Sequence, residues 1–533
     1  MSIAGSQVVK FSPAGLSDAE DGTNAFPGAC TSLQNLIPDP ATKNVWMCRP
    51  GSVLLGTLTG PVTALKVVGT HLFGFYSSTT YPGYDQPFVF DLVLNQFVTL
   101  TGVTGSTVLP VTQPTGVDWH PPTMDLVGVY LVVTHPGFNG SPNYFGWFNI
   151  SNFAAPTWNV GNTTTNALTT PPSWVVQFGE RAYFGLNPAT GQPSVVATDV
   201  LTLNVTNASQ ALSFGDNIPL TAACGLPLHN QLGGIIQSLI VFKGSSNIFQ
   251  VTGDFAGNTW AINALNVATG TLSPGSVCAT PIGVAFLAPD GYRFVQQDGS
   301  VSPPVGVAGG GVAVPFIDVL LPTRVVAACN AFVLRVTAQP FFNPGTPWQE
   351  YWFDIVRKVW SGPHTSTMAA LAPNGAGFVG ALQAAYGIYQ CPVQPEGTTQ
   401  VTEAGAPLQW SLVTATMPDP GAMAYCEMNE LTIDMGFPPG ATQVNIVAQD
   451  QNASPIAQAT YQVASTGTTW GNFLWGQANW ASSNASLYPR RIPFTTPVVY
   501  RIMSINISGQ AISGLRVGSL YMRRVVLGYD VVN

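Results

Sequence analysis

Three stretches of this chain repeat one pattern, and the repetition limits the possible folds more than any other feature. PFVFDLVLNQFVTL (87–100) carries Phe90-Asp91-Leu92-Val93 and then Phe97. YWFDIVRKVWSG (351–362) carries Phe353-Asp354-Ile355-Val356, with Trp360 at the same offset, and YFGWFNISNF (144–153) carries Phe148-Asn149-Ile150. An apolar run ending in an aromatic, an Asx residue and a return to aromatic or apolar residues reads as strand, tight turn, strand. Phe90 and Phe148 are 58 residues apart (148 minus 90), somewhat longer than the roughly 40–50 residues of a propeller blade.

A further meander lies in GVAFLAPDGYRFVQQDGSVSP (283–303), where Pro289-Asp290-Gly291 and Asp298-Gly299 bracket YRFVQQ. Asp-Gly supplies the positive φ angles of a hairpin turn, so three strands are expected. Meanders recurring over 56–404 predict an all-β fold with a β-propeller of about seven blades at roughly 50 residues each, six being the alternative. A pair of β-sandwiches without radial order is the competing architecture. Helical periodicity is nearly absent, and ALQAAYGIYQ (381–390) is the best short helix candidate.

From about 405 the texture changes to long alternating segments, MNELTIDMGFPPGATQVNIVAQD (428–450) and PVVYRIMSINISGQAISGLRVGSLYMRRVV (497–526), with three tryptophans in WGNFLWGQANW (470–480). This predicts an antiparallel β-sandwich platform domain over 405–533, with residues 1–55 packing against it.

Charged residues are only 8% of the chain, against roughly 25% in ordinary soluble domains, while Gly (55) and Pro (44) are abundant. Such a surface, with five lysines, suits an extracellular or virion protein. The N-terminus MSIAGSQVVKFSPAG lacks an apolar signal core, and no apolar run approaches the roughly 18 residues of a membrane span. Assembly inside a cell and release by lysis would reconcile these features.

Chemistry-bearing motifs are scarce. Seven scattered cysteines without CxxC predict reduced, buried thiols, and five dispersed histidines give no zinc spacing. Nucleophile-elbow, P-loop, dinucleotide-binding and kinase signatures are absent, the triple glycine at 309–311 reads as a loop, and nothing calls for a cofactor. A glycosidase would need two carboxylates across a cleft. Asp91, Asp290, Asp298 and Asp354 are available, but each sits where a turn former belongs, so no catalytic residue is assigned. A pI near 5.0 is wrong for gripping phosphate.

Charge is unevenly placed. No Lys or Arg occurs from Val359 to Pro489, an interval containing Glu396, Glu403, Asp419, Glu427, Glu430, Asp434 and Asp450. Arg490, Arg491, Arg501, Arg516, Arg523 and Arg524 then share the last 44 residues with Asp530 alone. This predicts one acidic face, with Glu396, Glu403, Glu427, Glu430 and Asp434 toward a channel or neighbour, and one basic face at a subunit or adaptor interface.

The opening LQNLIPDPATKNVWMCRPG (33–51) resembles the start of tail nozzle proteins of short-tailed bacteriophages, also called tail tubular protein B or DNA-stabilisation tail proteins. Those chains begin with an Asn-containing turn and a short strand ending in Arg-Pro-Gly or Arg-Pro-Pro; here Asn44 stands where glycine is common. NQLGGIIQSLIVFKGSSNIFQVTGDF (230–255), GTLSPGSVCATPIGVAFLAPDGYRFVQQDG (270–299) and EYWFDIVRKVWSGPH (350–364) look like the same family. The resemblance implies a virion tail protein, a propeller-bearing subunit of which six copies form a ring below portal and adaptor, assembled in the host cytoplasm. Such a ring closes the channel after packaging, opens for ejection, passes double-stranded DNA without reading it and offers surfaces to fibres or spikes. Arg49, between a strand end and Pro-Gly, is expected to staple the N-terminal segment to the platform or to a neighbour. A carbohydrate-binding or glycan-cleaving propeller of a receptor-binding tail part is the alternative function.

Overall fold

A computed structural model describes the chain apart from residues 1–6, 18–27, 78–83, 105–108, 111–120, 139–142, 164, 205–210, 230–234, 254–258, 266–267, 307–315, 318, 341–347, 384–385, 394–400, 419–423, 437–442, 463–486 and 530–533. The described residues hold 43 strands and two 3-10 turns, Pro274–Ser276 and Pro322–Arg324. The protein is all-β, built from many small antiparallel sheets.

Seven of these sheets follow one another along the chain. Sheet one is Val62–Val68, His71–Ser77, Tyr84–Asp91 and Gln96–Val98; sheet two is Thr123–Val127, Tyr130–Thr134, Phe145–Asn149 and Thr157–Gly161. Sheets three and four span Pro172–Ser213 and Leu220–Ala264 in the same up-and-down order. Sheet five has three strands, Cys278–Thr280, Gly283–Ala288 and Gly291–Gln296. Beside its last strand, the N–H groups of Ser302 and Val305 donate to the carbonyls of Phe294 and Tyr292. Sheet six is Val326–Cys329, Val333–Ala338, Gln349–Asp354 and Val359–His364. Sheet seven combines Met368–Asn374, Gly377–Leu382 and Gly387–Cys391 with Val53–Thr57, a strand from the other end of the chain. That strand crosses the boundary expected at residue 55.

The first strand of each sheet lies against the first strand of the next, and that of sheet seven lies against that of sheet one. Side chains fix the contact where they can reach backbone. Thr123 Oγ1 accepts from Val175 N–H at 3.1 Å, Asp125 Oδ2 accepts from Gln177 N–H at 2.6 Å, and Lys66 Nζ pairs with Asp125 at 2.9 Å. Separate apolar clusters fill the spaces between consecutive sheets, for example Phe73, Phe75, Phe148 and Trp158 between one and two. Each sheet therefore buries both faces against neighbours, the condition an isolated hairpin cannot meet.

The repeated Phe-Asx units occupy equivalent places. Phe90, Phe148 and Phe353 all lie on the third strand of their sheets, opposite Phe97, Trp158 and Trp360 on the fourth. The Asx residues hold the turns: Asp91 Oδ1 accepts from Val93 and Leu94 N–H at 2.8 and 3.0 Å, and Asp354 Oδ1 accepts from Arg357 N–H at 2.7 Å. In contrast, 381–390 is not helical. Apart from Gln383 and Tyr386, its described residues belong to strands Gly377–Leu382 and Gly387–Cys391, where alternation buries Val379 and Ala381 against sheet one. A Cβ at Gly380 would sit 2.8 Å from Met368 Sδ, so close pairing with the first strand wins over the weak helical preference of the alanines.

Two larger sheets take most of the rest, and Thr402–Glu403 pairs with Ala406–Pro407 in a two-stranded sheet of its own. One orders Leu36–Pro38, Trp46–Cys48, Arg516–Tyr529, Ala424–Gly436 and Tyr488–Tyr500, with Gln7–Phe11 also paired to Arg516–Tyr529. The other orders Gly15–Leu16, Ala29–Gln34, Gln409–Thr414, Ile502–Gln510, Gln443–Gln449 and Pro455–Gln462. Their apolar faces share one core, including Met428, Ile433, Ile446, Ile505 and Leu520, and this core runs on into Phe294, Phe353 and Trp360 of sheets five and six. The edge strand Tyr488–Tyr500 has Pro489, Pro493 and Pro497 at alternate odd positions. Proline removes the N–H that an added strand would need, so this long edge resists further pairing.

Candidate functional site

A buried cluster of charges lies where the N-terminal segment, sheet six and residue 403 meet. Asn35 opens it by turning in the left-handed region (φ 56°), as does Asn44 (φ 58°) in the following turn. This bend delivers the Asn35 side chain into the interior. Its Oδ1 accepts from Arg49 Nε at 2.8 Å and from Thr365 N–H at 3.1 Å, and its Nδ2 donates to the Gln409 carbonyl at 2.6 Å. Arg49, only 2% exposed, also donates to the Pro50 carbonyl at 2.9 Å and pairs through Nη2 with Glu403 Oε2 at 2.6 Å. Glu403 Oε1 accepts from Ser52 Oγ at 2.6 Å.

On the sheet-six side, Arg335 and Glu350 occupy facing strands and are both fully buried, with Nη2 2.6 Å from Oε1. The same oxygen accepts from Trp352 Nε1 at 2.6 Å, and the guanidinium lies 4.5 Å from the Trp352 ring centroid. Two guanidinium groups thus face two carboxylates, and the cluster is charge-balanced. Burial of this many charges is tolerable only because each is paired, although the second oxygen of Glu350 accepts no hydrogen bond.

His364 sits between the two arginines. Its Nδ1 accepts from Asn35 N–H at 3.1 Å, so the ring proton resides on Nε2, 3.2 Å from Ser361 Oγ. A histidine that presents a proton to the serine cannot take one from it, so this pair is not an activated nucleophile. Burial, and then the nearby Arg49 and Arg335, hold the His364 pKa well below its ordinary value. The sign follows directly. The unfolded chain takes up a proton near pH 6.5 and the folded one does not, so stability present above pH 6.5 is lost as pH falls toward the lower folded value. From this group the fall in unfolding free energy should steepen from about 0.7 kcal/mol per pH unit at 6.5 toward about 1.4 more than a unit below it. Urea titrations at several pH values should show that slope reduced by one proton in His364→Gln, and an unchanged slope would contradict the assignment.

The carboxylates weighed for sugar chemistry are otherwise occupied. Asp290 pairs with Arg293, Asp298 accepts from the Ser300 hydroxyl at 2.6 Å, and Asp91 caps its turn. Pairing with Arg293, the Ser300 hydroxyl and the Leu94 N–H respectively lowers all three pKa values, whereas a glycosidase acid needs a raised one. Asp85 is raised by burial, against hydrogen bonds from Thr63 and Ser77. Among the described residues no group of three or more His, Cys, Asp and Glu could hold a metal ion. All seven cysteines are free thiols. No described helix is long and apolar enough to cross a membrane.

Within one chain, acidic and basic stretches of the sequence become neighbours in a single sheet. Strand Ala424–Gly436, with Glu427, Glu430 and Asp434, lies between the two arginine-bearing strands of one sheet. Glu430 pairs with Arg491, and Asp434 accepts from Tyr521 Oη at 3.1 Å. Arg516 pairs with the buried Asp39 at 2.9 Å, Arg501 lies 4.6 Å from the Tyr425 ring centroid, and Arg490 stacks 5.6 Å from that of Tyr488. Arg524 is buried, 3.4 Å from Gln7 Oε1, whereas Arg523 is exposed and lies opposite Glu430. Register brings together what linear distance separates. Glu396, Asp419, Asp530, the tryptophans of 470–480 and the glycines of 309–311 lie outside the described residues.

No family model matches the chain. No curated protein matches it either. Among solved structures, the chain is similar to a computationally designed protein, Ika8, at 12% identity and a TM-score of 0.36, covering 72% of this chain and 100% of that one. It is also similar to an exo-β-1,3-galactanase from Phanerochaete chrysosporium (9% identity, TM-score 0.25, 77% and 98% covered) and to the SapL1 lectin (15%, 0.33, 57% and 96%). At these scores the likenesses carry no argument about function.

Sequence reasoning found Arg49 but missed Arg335, Glu350 and His364. Their signal was local: in AFVLRVTA and QEYWF a single charge interrupts an apolar strand, 15 residues (350 minus 335) from its opposite. In a chain so poor in charge, that pattern marks a buried pair.

Proposed function

We propose that the chain is a structural subunit of a tail nozzle ring of a short-tailed bacteriophage, seated below portal and adaptor, closing the DNA channel and opening for ejection. In this reading the circuit of seven sheets is a β-propeller, closed by the N-terminal strand Val53–Thr57, and the two larger sheets are its sandwich platform. The observation that carries the reading is the place of Arg49. The Arg-Pro-Gly of the opening motif, one of the stretches that carry the resemblance, is the fastening between circuit and platform. A subunit that must keep its two parts aligned while DNA passes needs such a joint more than it needs a catalytic cleft. A net charge of −8 disfavours adhesion to DNA, which bears one negative charge per roughly 1.7 Å. Homohexamer formation, contact with adaptor, portal and fibres or spikes, and residence in the virion tail belong to the same proposal.

Negative-stain imaging and mass measurement of the purified particle test it. Sixfold class averages, with a mass close to six times the 56.2 kDa of one chain, are expected. A monomer at all concentrations that cleaves a glycan would overturn it in favour of a carbohydrate-active propeller.

A further inference from the structure

The two larger sheets divide charge unequally. Lys10, Glu427, Glu430, Asp434, Arg491 and Arg523 all stand on one of them. Five strands of the other, Ala29–Gln34, Gln409–Thr414, Ile502–Gln510, Gln443–Gln449 and Pro455–Gln462, contain no charged residue at all. Alternation turns Trp410, Leu412, Ile446 and Ile507 into the core and leaves neutral polar side chains outside.

Strand pairing lines these side chains up in rows. Gln409 faces Gln510, the same register sets Gln510 beside Gln443, and Gln443 faces Gln462, so four glutamines cross four adjacent strands. Gln34, Ser411, Ser508, Asn445 and Thr460 make the next row. Gln443 donates from Nε2 to Asn445 Oδ1 at 2.7 Å and accepts from Gln462 Nε2 at 3.2 Å. The side chains of Gln409, Ser508 and Gln510 have no hydrogen-bond partner among the described residues.

This chemistry narrows the partner. Without a cation the rows cannot hold the phosphates of a nucleic acid, and without an apolar side chain they cannot enter a bilayer. Protein interfaces are enriched in Tyr, Trp, Phe, Met and Arg, none of which occurs in either row. Amides and hydroxyls both donate and accept, and a neutral polymer of hydroxyl groups answers them in kind. Spacing points the same way. Neighbouring strands lie roughly 4.7–4.9 Å apart, and successive rings of a β-1,4-linked sugar chain advance by little more than that.

We propose that this face binds a neutral, extended β-1,4-linked polysaccharide laid across the strands, one sugar residue to each rung of the glutamine row. Hydrogen bonds at an exposed surface are individually weak, so affinity comes from several rungs engaged together. The inference rests on this sheet alone and holds with or without the nozzle ring.

Calorimetry on the full chain tests it with cello-oligosaccharides of increasing length and with maltohexaose, the same sugar in a curved α-linked chain. Affinity should rise from cellobiose to cellotetraose and level off by cellohexaose, because the glutamine row is four strands wide. Cellohexaose should bind about 10-fold more tightly than maltohexaose, and added salt should change neither. Gln443→Ala combined with Gln510→Ala should weaken cellohexaose binding about 10-fold, the effect of two lost neutral hydrogen bonds, while the thermal midpoint stays put. Arg523→Gln, on the other sheet, should bind as the parent does. No binding at millimolar cellohexaose overturns the proposal, as does equal binding of maltohexaose or an affinity that stops rising at cellobiose. A folded double variant that binds like the parent overturns it too, because the glycan would then sit elsewhere. If cellohexaose does not bind and the double variant instead loses self-association in sedimentation, the face serves a second copy and the proposal fails. The length series needs no variant, so it decides even if the double variant misfolds.

Discussion

Arg335→Met should lower the unfolding free energy by about 3–5 kcal/mol, the usual result of removing one partner from a buried ion pair. The loss comes less from the missing attraction than from what is left behind. Glu350 is fully buried, and without the guanidinium its charge would keep only the Trp352 indole N–H at 2.6 Å. The stacking of the guanidinium on Trp352 and its 5.4 Å approach to the Phe378 ring would go as well. Replacing both members, Arg335→Met with Glu350→Leu, should recover most of the loss, because an apolar pair of similar volume carries no desolvation cost. Urea unfolding followed by fluorescence, with its 13 tryptophans as probes, gives both numbers. If the single variant lies within about 1 kcal/mol of the parent, Glu350 is being satisfied by water and does not depend on Arg335.

What could be read in advance, and what could not, follows from the range over which each signal acts. Turn chemistry is local. Asp91, Asp290, Asp298 and Asp354 each sit in the turn their sequence specifies, and the Phe90, Phe148 and Phe353 units fall on the same strand of their sheets. Period-two alternation was equally legible, as in QVNIVAQ, where Val444, Ile446 and Ala448 point into the core. Register between distant strands is not a local property. Nothing in the sequence places Glu430 opposite Arg523, or Val53–Thr57 beside Gly387–Cys391, because those pairings are decided by which apolar faces can be covered at once. For the same reason the linear charge asymmetry does not reveal that strands Ala424–Gly436, Tyr488–Tyr500 and Arg516–Tyr529 are neighbours, so that opposite charges meet across the ladder. The short helix expected at 381–390 failed where a sheet needed a third strand.

Arg49 offers the sharper experiment, because its partners belong to different parts of the molecule. Arg49→Met would leave the Glu403 charge with only the Ser52 hydroxyl and take one donor from the Asn35 side-chain oxygen, which keeps the Thr365 N–H, and a cost of about 3–5 kcal/mol is expected. Glu403→Gln should cost less, since the amide oxygen can still accept from Ser52 and Arg49 keeps Asn35 and Pro50. Combined, the two substitutions should be less damaging than their sum, with an interaction energy in the range of about 0.5–3 kcal/mol found for side chains in contact. A change in stability alone would not separate a joint from any other buried contact. The decisive readout is therefore where protection is lost. Amide exchange in Arg49→Met should rise along 29–52 and 401–414, the segments the cluster ties to sheet six, while sheets two, three and four keep parental rates. Unfolding should also broaden or split, as sheet circuit and platform cease to share one transition. If exchange rises uniformly through all seven sheets and unfolding stays a single sharp step, Arg49 is ordinary core support. The two parts of the chain would then be held together by the shared apolar core from Phe353 to Leu520 alone.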